Sequence, residues 1–337
     1  MSLQLTSYPI NTLANHTLAS FFGTLCDAPI ALQITTKHLN LQAASAIVSP
    51  SLIELVLFAD ASIEQLLDII EQAALSTVIF TQVVHRNAQT SYRFQVQCTN
   101  LHMAKQAVAQ YSLANNIEAA LLENAPQLAK PGLLVMDMDS TTIGIECIDE
   151  IAKLAGVGEA VAAVTERAML GELDFAQSLH QRVATLANAD VSILDSVLKN
   201  MPLMSGLTAL LHVLKQHQWR IAIASGGFTY FAEHLQQSLA LDKVLANQLA
   251  IHKGKLTGKV LGEVIDAQAK ADFVPLLAKL YQIDGTQTVA MGDGANDLLM
   301  MATAHLGVAF HAKPIVLQQA NTSINHQGLD ILLHWLR

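Results

Sequence analysis

The sequence predicts an α/β fold in which a parallel, Rossmann-like sheet carries a helical cap inserted after its first strand, preceded by a small α+β domain. After about residue 132, short apolar strands alternate with helices, which is typical of a parallel sheet covered on both faces. A helical stretch interrupts this alternation after the first strand, and mixed strand-like and helical runs precede it. A chain of 337 residues is long enough for about two domains.

The composition argues against several classes of protein. Hydrophobic residues make up 52% of the chain, yet no uncharged apolar run approaches the roughly 18 to 20 residues that span a bilayer. The N-terminus lacks a basic segment and a clear cleavage site, so we expect a cytoplasmic protein with no membrane partner. A net charge of −9 argues against a nucleic-acid partner. Cys26, Cys98 and Cys147 fit neither a disulfide framework nor a zinc site, and we expect them in the core.

Residues 1–125 are expected to form the α+β domain. Its strands are predicted in IALQITT, LIELVLFA, STVIFTQVV and SYRFQVQCT, and its helices in SIEQLLDIIEQAAL and LHMAKQAVAQYSLANNIEAALL. Two prolines and a glycine in NAPQLAKPG, from Asn124 to Gly132, indicate a linker, which we assign to residues 126–132.

Residues 133–337 are expected to form the domain with the parallel sheet. Its strands are predicted in GLLVMDMDS, RIAIA, TVAMG and LGVAF. Residues 146–205 have helical spacing and few β-branched runs, so they are predicted to form a cap over the C-terminal edge of the sheet, where such folds bind ligands. The segment VLANQLAIHKGKLTGKVLGEVI is predicted to be a hairpin that turns at Lys-Gly-Lys.

Two acids separated by one residue follow the first strand of this sheet, in LLVMDMDSTT. Taken alone, Asp137 and Asp139 would also fit a solvated turn or a helix cap. An EF-hand is excluded, because the sixth position counted from Asp137 is Thr142 instead of glycine and the twelfth is Ile148 instead of glutamate.

A second strand also ends in an acid, Asp293, with Asn296 and Asp297 opening the next helix. The sequence GDGAND alone would also fit a glycine turn with a helix cap. Two parallel strands that end in acids would bring Asp137, Asp139, Asp293 and Asp297 to one crevice. So many like charges are costly unless a cation joins them, and Mg²⁺ favours such an all-oxygen cluster. The G-x-G-x-x-G pattern of dinucleotide-binding folds is absent.

Two further features suit an anion. Ser225, Gly226 and Gly227 lie between the strand RIAIA and the helix FTYFAEHL, where a hydroxyl and free backbone N–H groups form an anion site, although an ordinary serine helix cap would also fit. Lys270 precedes the helix ADFVPLLAKL, where it opposes the helix dipole unless an anion lies nearby; alone it would fit solvated surface. Together, these pieces indicate phosphoryl transfer with a carboxylate as the nucleophile.

The order DMDST, SGG after a strand, a downstream lysine and GDGAND resembles the haloacid dehalogenase superfamily of phosphatases, from about Leu133 to Phe310. This resemblance implies that Asp137 is the nucleophile and Asp139 the general acid and base. It further implies that Mg²⁺ is held by Asp137, Asp293 and the backbone carbonyl of Asp139, with Asp297 supporting that shell. The residues implied to hold the phosphate are Ser225, Gly226, Lys270 and Asn296.

The resemblance extends to the cap and implies the substrate. Glu146, nine residues after Asp137, would bind an ammonium group, and Arg182 in DFAQSLHQR would hold a carboxylate with its planar fork. Phe175 and Met169 would help to close an apolar lid. Without the surrounding motifs, Glu146 would fit an acid at a helix start and Arg182 a surface ion pair.

The implied function is magnesium-dependent hydrolysis of O-phospho-L-serine to L-serine and phosphate, the last step of serine biosynthesis. Two alternatives are a phosphatase or phosphotransferase for another small phosphomonoester and a non-catalytic amino-acid sensor. The N-terminal region resembles ACT-type regulatory domains, which implies amino-acid binding or assembly into a homodimer.

Overall fold

The computed structural model describes residues 6–23, 29–45 and 51–337, and within them the chain forms two seven-stranded sheets. The N-terminal sheet contains β1 Thr6–Pro9, β2 Ile30–Ile34, β3 His38–Ala43, β4 Ile53–Phe58, β5 Leu75–Arg86, β6 Gln89–Cys98 and β7 Ala119–Glu123. The second sheet contains β8 Leu133–Met136, β9 Arg220–Phe228, β10 Lys243–His252, β11 Lys255–Leu261, β12 Thr288–Gly292, β13 Leu306–Phe310 and β14 Thr322–Ile324.

The helices fall into three groups along the described chain. The N-terminal domain has α1 Leu18–Phe22, α2 Ile63–Gln72 and α3 Leu101–Asn115. The cap has α4 Cys147–Leu154, α5 Gly158–Met169, α6 Phe175–Thr185 and α7 Ser192–Lys199. The second sheet is flanked by α8 Leu207–Gln216, α9 Thr229–Ser238, α10 Ala267–Leu280, α11 Leu298–Thr303, α12 Pro314–Leu317 and α13 Leu332–Trp335.

The N-terminal sheet is antiparallel, in the order β1-β3-β2-β5-β6-β4-β7, and the predicted α+β character is confirmed. One predicted element was partly wrong. The helix expected from residue 101 to 122 ends at Asn115, where Asn116 takes a left-handed φ of 53°, and residues 119–123 form β7 instead. Alanine and leucine favour a helix, but pairing with β4 supplies backbone partners that outweigh this local propensity.

Alternate residues of β4 contribute to two separate cores. Leu55 and Leu57 pack with the helices of the N-terminal domain, whereas Val56 and Phe58 pack in the core of the second domain. This two-residue period is expected of a strand buried on both faces. The N-terminal sheet therefore uses its outer face to bind the rest of the chain.

The second sheet has the order β11-β10-β9-β8-β12-β13-β14, and its pairs are parallel except for the β10–β11 hairpin. The predicted parallel sheet, hairpin and helical cap are confirmed. Because β8 pairs with both β9 and β12, the chain segments that follow β8 and β12 leave the sheet side by side. The topology thus brings the two acid-bearing loops together.

Residues 126–132 are irregular, as expected of a linker, but they are packed into the structure. Gln127 exchanges backbone hydrogen bonds with the buried side chain of Gln287, and the carbonyl of Leu128 accepts a hydrogen bond from the Trp219 indole. The carbonyl of Pro126 accepts from the backbone of Arg337. These contacts fix the connection between the two sheets.

The described residues include no helix that is both long enough and apolar enough to span a membrane. Cys147 is buried, as predicted, whereas Cys98 is only half-buried. Cys26 lies outside the described residues.

Candidate active site

Asp137 begins the loop that follows β8, and its backbone N–H donates to the carbonyl of Met291 in β12 at 2.9 Å. The hydroxyl of Thr142 donates to the Asp137 carbonyl at 2.5 Å. The backbone on both sides of this carboxylate is therefore held from two directions, while only 5% of the residue is exposed. A carboxylate fixed in this way at a sheet edge is positioned for reaction with a bound substrate.

Lys270 lies directly behind this carboxylate. Its ammonium donates to Asp137 at 2.9 Å and to Asp297 at 2.8 Å, and the residue is fully buried. The sequence predicted Lys270 just before a helix, but it lies in the first turn of α10, whose N-cap is Asp266. Burial alone would lower the pKa of Lys270, yet the two carboxylates outweigh burial and raise it.

Asp137, Asp293 and Asp297 form an acidic cluster in which one carboxylate oxygen from each lies within 4.8 Å of the others. Burial, and then the charge of Asp137, raises the pKa of Asp293 to about 6 and also raises that of Asp297. Both oxygens of Asp297 already accept hydrogen bonds, one from Lys270 and one from the backbone N–H of Gly294. The cluster therefore has an excess of negative charge beside a single buried lysine.

Asp139 faces the same crevice from the loop after Asp137. One of its oxygens accepts a long hydrogen bond of 3.3 Å from the backbone N–H of Cys147, at the start of α4. Burial, followed by the charges of Glu146 and Asp137, raises the pKa of Asp139 to about 8. Without a bound cation this carboxyl group is therefore mostly protonated at neutral pH, so it can donate a proton.

The serine and glycine motif has a different local structure from the one predicted. Ser225, Gly226 and Gly227 lie inside β9, and the N-cap of α9 is Phe228, so Ser225 does not cap that helix. The helix begins later because the strand continues past the glycines. The hydroxyl oxygen of Ser225 instead accepts the Gly227 N–H at 2.9 Å.

Gly226 also has a packing role. A Cβ at this position would lie 2.6 Å from the Phe175 ring of the cap, so glycine permits the cap to approach the sheet.

Two charged cap residues face the crevice from above. Glu146 is the N-cap residue of α4, but its side chain accepts a hydrogen bond from Ser140 at 2.7 Å instead of capping the helix. Arg182 lies in the last turn of α6, half-buried, and its Nε is a buried donor with no partner among the described residues. Burial lowers the pKa of Arg182, and the nearby charges of Asp149 and Glu146 partly offset that effect.

A cavity of about 480 Å³ joins the sheet edge to the cap. It is lined by ten of the twelve residues to which the resemblance assigned a role, namely Asp137, Asp139, Glu146, Met169, Phe175, Arg182, Ser225, Gly226, Asp293 and Asn296. Lys270 and Asp297 are not part of this lining, and Lys270 bonds to both Asp137 and Asp297. Met169 is 73% exposed at the rim.

Some residues of the site were not predicted. Asp149 and Lys313 also line the cavity, and the Thr141 hydroxyl donates to Asp293 at 3.3 Å. Thr141 stands in the quoted DMDSTT motif, so its position was available as a signal. Lys313 lies in an exposed loop before α12, where the sequence offers no pattern that separates it from surface lysines.

A larger cavity, of about 920 Å³, lies in the N-terminal domain between α2 and β2. Its titratable lining consists of Glu64, Asp68 and Glu71 on α2. The described lining contains no cationic side chain and no cysteine. Despite its size, this cavity therefore lacks the combination of carboxylates and a lysine that surrounds Asp137.

Comparison with known proteins agrees with this arrangement. The model of the family described as haloacid dehalogenase-like hydrolase matches residues 134–302. A phosphoserine phosphatase of Vibrio cholerae is 56% identical over 216 residues, which cover 64% of this chain and 66% of that relative.

Two solved structures are also similar. One is an unliganded probable phosphoserine phosphatase from Vibrio cholerae, with a TM-score of 0.72 and 44% identity over 84% of this chain and 86% of that one. The other is a phospho-aspartyl intermediate analogue of phosphoserine phosphatase, with a TM-score of 0.58 and 38% identity over 62% of this chain and 100% of that one.

Proposed function

Since the chain belongs to the haloacid dehalogenase-like hydrolases, we propose that it hydrolyses O-phospho-L-serine to L-serine and inorganic phosphate, with Asp137 as the nucleophile. The observation that carries the proposal is the single cavity whose lining combines Asp137 with Glu146 and Arg182. A phosphate at the sheet edge would leave the ammonium and carboxylate of serine facing groups of opposite charge.

The acidic cluster suits Mg²⁺, because three carboxylates meet within 4.8 Å while Lys270 supplies one positive charge. Asp137, Asp293 and the carbonyl of Asp139 would hold the ion. Asp297 would support them, since both of its oxygens are already bonded to Lys270 and Gly294. The bound ion would neutralise negative charge on the phosphoryl oxygens.

In the first step, a carboxylate oxygen of Asp137 attacks phosphorus as the bond to the seryl oxygen breaks. Lys270, at 2.9 Å, stabilises the charged form of this carboxylate. Asp139 transfers its proton to the departing seryl oxygen, so serine leaves as the neutral alcohol. Burial raises the pKa of Asp139, which favours the protonated form that this step requires.

In the second step, a water molecule attacks the phosphorus of the aspartyl phosphate. Asp139, now ionised, accepts the water proton as the bond between phosphorus and the Asp137 oxygen breaks. This restores both carboxyl groups to their starting states and releases inorganic phosphate. One residue thus acts first as an acid and then as a base.

Ser225, Gly226 and Asn296 line the same cavity as Asp137 and would donate hydrogen bonds to the phosphoryl oxygens. Arg182 would hold the substrate carboxylate and Glu146 the ammonium. Phe175 packs against Gly226 and would limit water entry, with Met169 at the rim.

A phosphate-release assay tests the proposed substrate. The panel contains O-phospho-L-serine, O-phosphoethanolamine and a sugar phosphate, each measured with magnesium and then with EDTA. We expect O-phospho-L-serine to be preferred, and EDTA to remove the activity. Equal rates on the sugar phosphate and O-phospho-L-serine would contradict the proposal.

For the N-terminal domain, residues 1–125, we propose amino-acid binding or dimerisation, with residues 126–132 as its connection to the phosphatase domain. The 920 Å³ cavity supports a ligand site there. Titrating the whole protein with L-serine while activity and sedimentation are followed tests both roles. A monomer whose activity serine does not change would contradict them.

A further inference from the structure

The backbone around Ser225 forms a bulge in the sheet. β9 and β10 pair in register from Ala222 with Lys243 to Ala224 with Leu245, and pairing resumes with Phe228 opposite Asn247. Between these pairs, the three residues 225–227 of β9 face the single residue 246 of β10. Part of the β9 backbone therefore leaves the ladder where Ser225, Gly226 and Gly227 line the cavity.

The side chain of Asn247 holds this bulge from the side of β10. Its Nδ2 donates to the carbonyl of Gly226 at 2.8 Å, and its Oδ1 accepts the backbone N–H of Ile265 at 2.9 Å. Because a carbonyl only accepts and an N–H only donates, these partners fix the orientation of the amide. Asn247 is 1% exposed and does not line the cavity.

The hydrogen bond to Gly226 orients Ser225. In a trans peptide the carbonyl and the next N–H point in opposite directions, so holding the Gly226 carbonyl toward Asn247 turns the Gly227 N–H away from Asn247. That N–H donates to the Ser225 hydroxyl oxygen at 2.9 Å. With its oxygen engaged as an acceptor, the hydroxyl retains its own proton for donation into the cavity.

The other hydrogen bond of Asn247 connects to the helix that carries Lys270. Ile265 is followed directly by Asp266, the N-cap of α10, whose side chain accepts the N–H of Ala269 at 2.9 Å. Lys270 follows in the first turn and binds Asp137. One buried amide thus connects the serine bulge to the start of the lysine helix.

We propose that Asn247 is a positioning residue for phosphate binding, acting through the Gly226 peptide on Ser225 and through Ile265 on α10. It touches neither the substrate nor the acidic cluster. This inference rests on the proposed function, because it assumes that Ser225 contacts a phosphoryl group.

The test compares Asn247→Ala and Asn247→Asp with the wild type, in the whole protein with magnesium. We expect the KM for O-phospho-L-serine and the dissociation constant of inorganic phosphate, measured by calorimetry, each to rise about tenfold, as loss of a buried hydrogen bond implies. The aspartate variant keeps the acceptor for Ile265 and loses only the donor, so it carries the test if the alanine variant does not fold.

Gln287→Ala is the matched control. Gln287 is also a buried amide that joins two backbone segments, through Gln127, but it lies outside the cavity lining. We expect it to lose stability with unchanged phosphate affinity. Equal phosphate affinity in the Asn247 variants and this control would overturn the proposal.

A double-mutant cycle with Ser225→Ala tests the route of the effect. If Asn247 acts through the Ser225 hydroxyl, its substitution should change phosphate affinity less than about twofold once that hydroxyl is gone. If the effects of the two substitutions on phosphate binding free energy were fully additive, Asn247 would not act through the Ser225 hydroxyl. Phosphate affinity is measured without turnover, so a wrong substrate would leave these results intact while the phosphate-release panel failed.

Discussion

In the described part of the chain, two clusters of buried charge are neutralised differently. Where the two sheets meet, Arg93 donates to Glu54 at 3.3 Å and to the carbonyls of His334, at 2.6 Å, and Leu336. Nearby, Glu118 accepts three consecutive backbone N–H groups, from residues 325 to 327. These charges are compensated by groups of the protein itself.

The acidic cluster at the sheet edge has three carboxylates and one lysine. Its surplus charge calls for a bound cation, whereas Arg93, Glu54 and Glu118 at the interface are each bonded to a partner of the protein itself. Burial alone therefore does not mark a catalytic group. We therefore expect substitutions at the interface to change stability and substitutions at the cluster to change activity.

The largest expected effect is on turnover. Asp137→Asn should reduce kcat at least about 1,000-fold, because the amide is a poor nucleophile. Circular dichroism should show an unchanged fold. Asp60→Asn, an exposed acid of the N-terminal domain, is the control and should retain full activity. Unchanged kcat in Asp137→Asn would mean that the nucleophile is another residue.

At the interface, Arg93→Met should lower the free energy of unfolding by about 3 kcal/mol, because it removes a buried donor from Glu54 and from the carbonyls of His334 and Leu336. Urea denaturation measures this change, and kcat/KM of the folded protein should stay the same. The control is Arg167→Met, whose ion pair with Glu172 is exposed and should matter little. Equal free energies of unfolding for the two variants would show that the buried charge at the interface matters no more for stability than an exposed ion pair.

The interface should also respond to pH through His334. Its Nε2 donates to the Arg86 carbonyl, so its Nδ1 accepts from Ser91, and burial followed by the charges of nearby arginines lowers its pKa to about 4. The unfolded chain, with a histidine pKa near 6.5, binds the proton first. Stability from this group is therefore complete above about pH 6.5 and lost as the pH falls toward 4.

Between pH 7 and pH 5 this loss should amount to about 2 kcal/mol of unfolding free energy. Urea denaturation at both pH values measures it, and His334→Gln should remove that part of the pH dependence. The same pH dependence in the variant would show that other groups cause it.

In the cap, Arg182→Met should raise the KM for O-phospho-L-serine about 30-fold, since the substrate carboxylate loses a charged donor. O-phosphoethanolamine has no carboxylate, so its kinetics should change little. Steady-state assays with both substrates measure the difference. An equal loss on both would assign Arg182 a structural role.

The smallest expected effect has the opposite sign. In EDTA, Asp293→Asn should raise the free energy of unfolding by about 1 kcal/mol, because it removes repulsion from Asp137, while activity with magnesium is lost. Thermal and urea denaturation measure the change. If the variant were less stable than the wild type, the negative charge of the acidic cluster would already be compensated without a cation.

The sequence predicted much of the phosphatase domain because its motifs follow apolar strands whose ends the topology brings together. Asp137, Asp293 and Ser225 could be placed at one edge for this reason. The sequence could not predict that Lys270 would be fully buried against two carboxylates, because no local pattern shows such contacts. The strand β7 was missed because its partner β4 lies more than sixty residues earlier in the chain. Asn247 acts through backbone groups and leaves no motif.

The most direct test of the account is mass spectrometry of acid-quenched enzyme mixed with O-phospho-L-serine and magnesium. We predict one added phosphoryl group on the peptide that contains Asp137, and none in the Asp137→Asn variant. A phosphoryl group on another residue, or none in an active wild-type enzyme under any quench time, would contradict the assignment of the acidic cluster as the reaction centre.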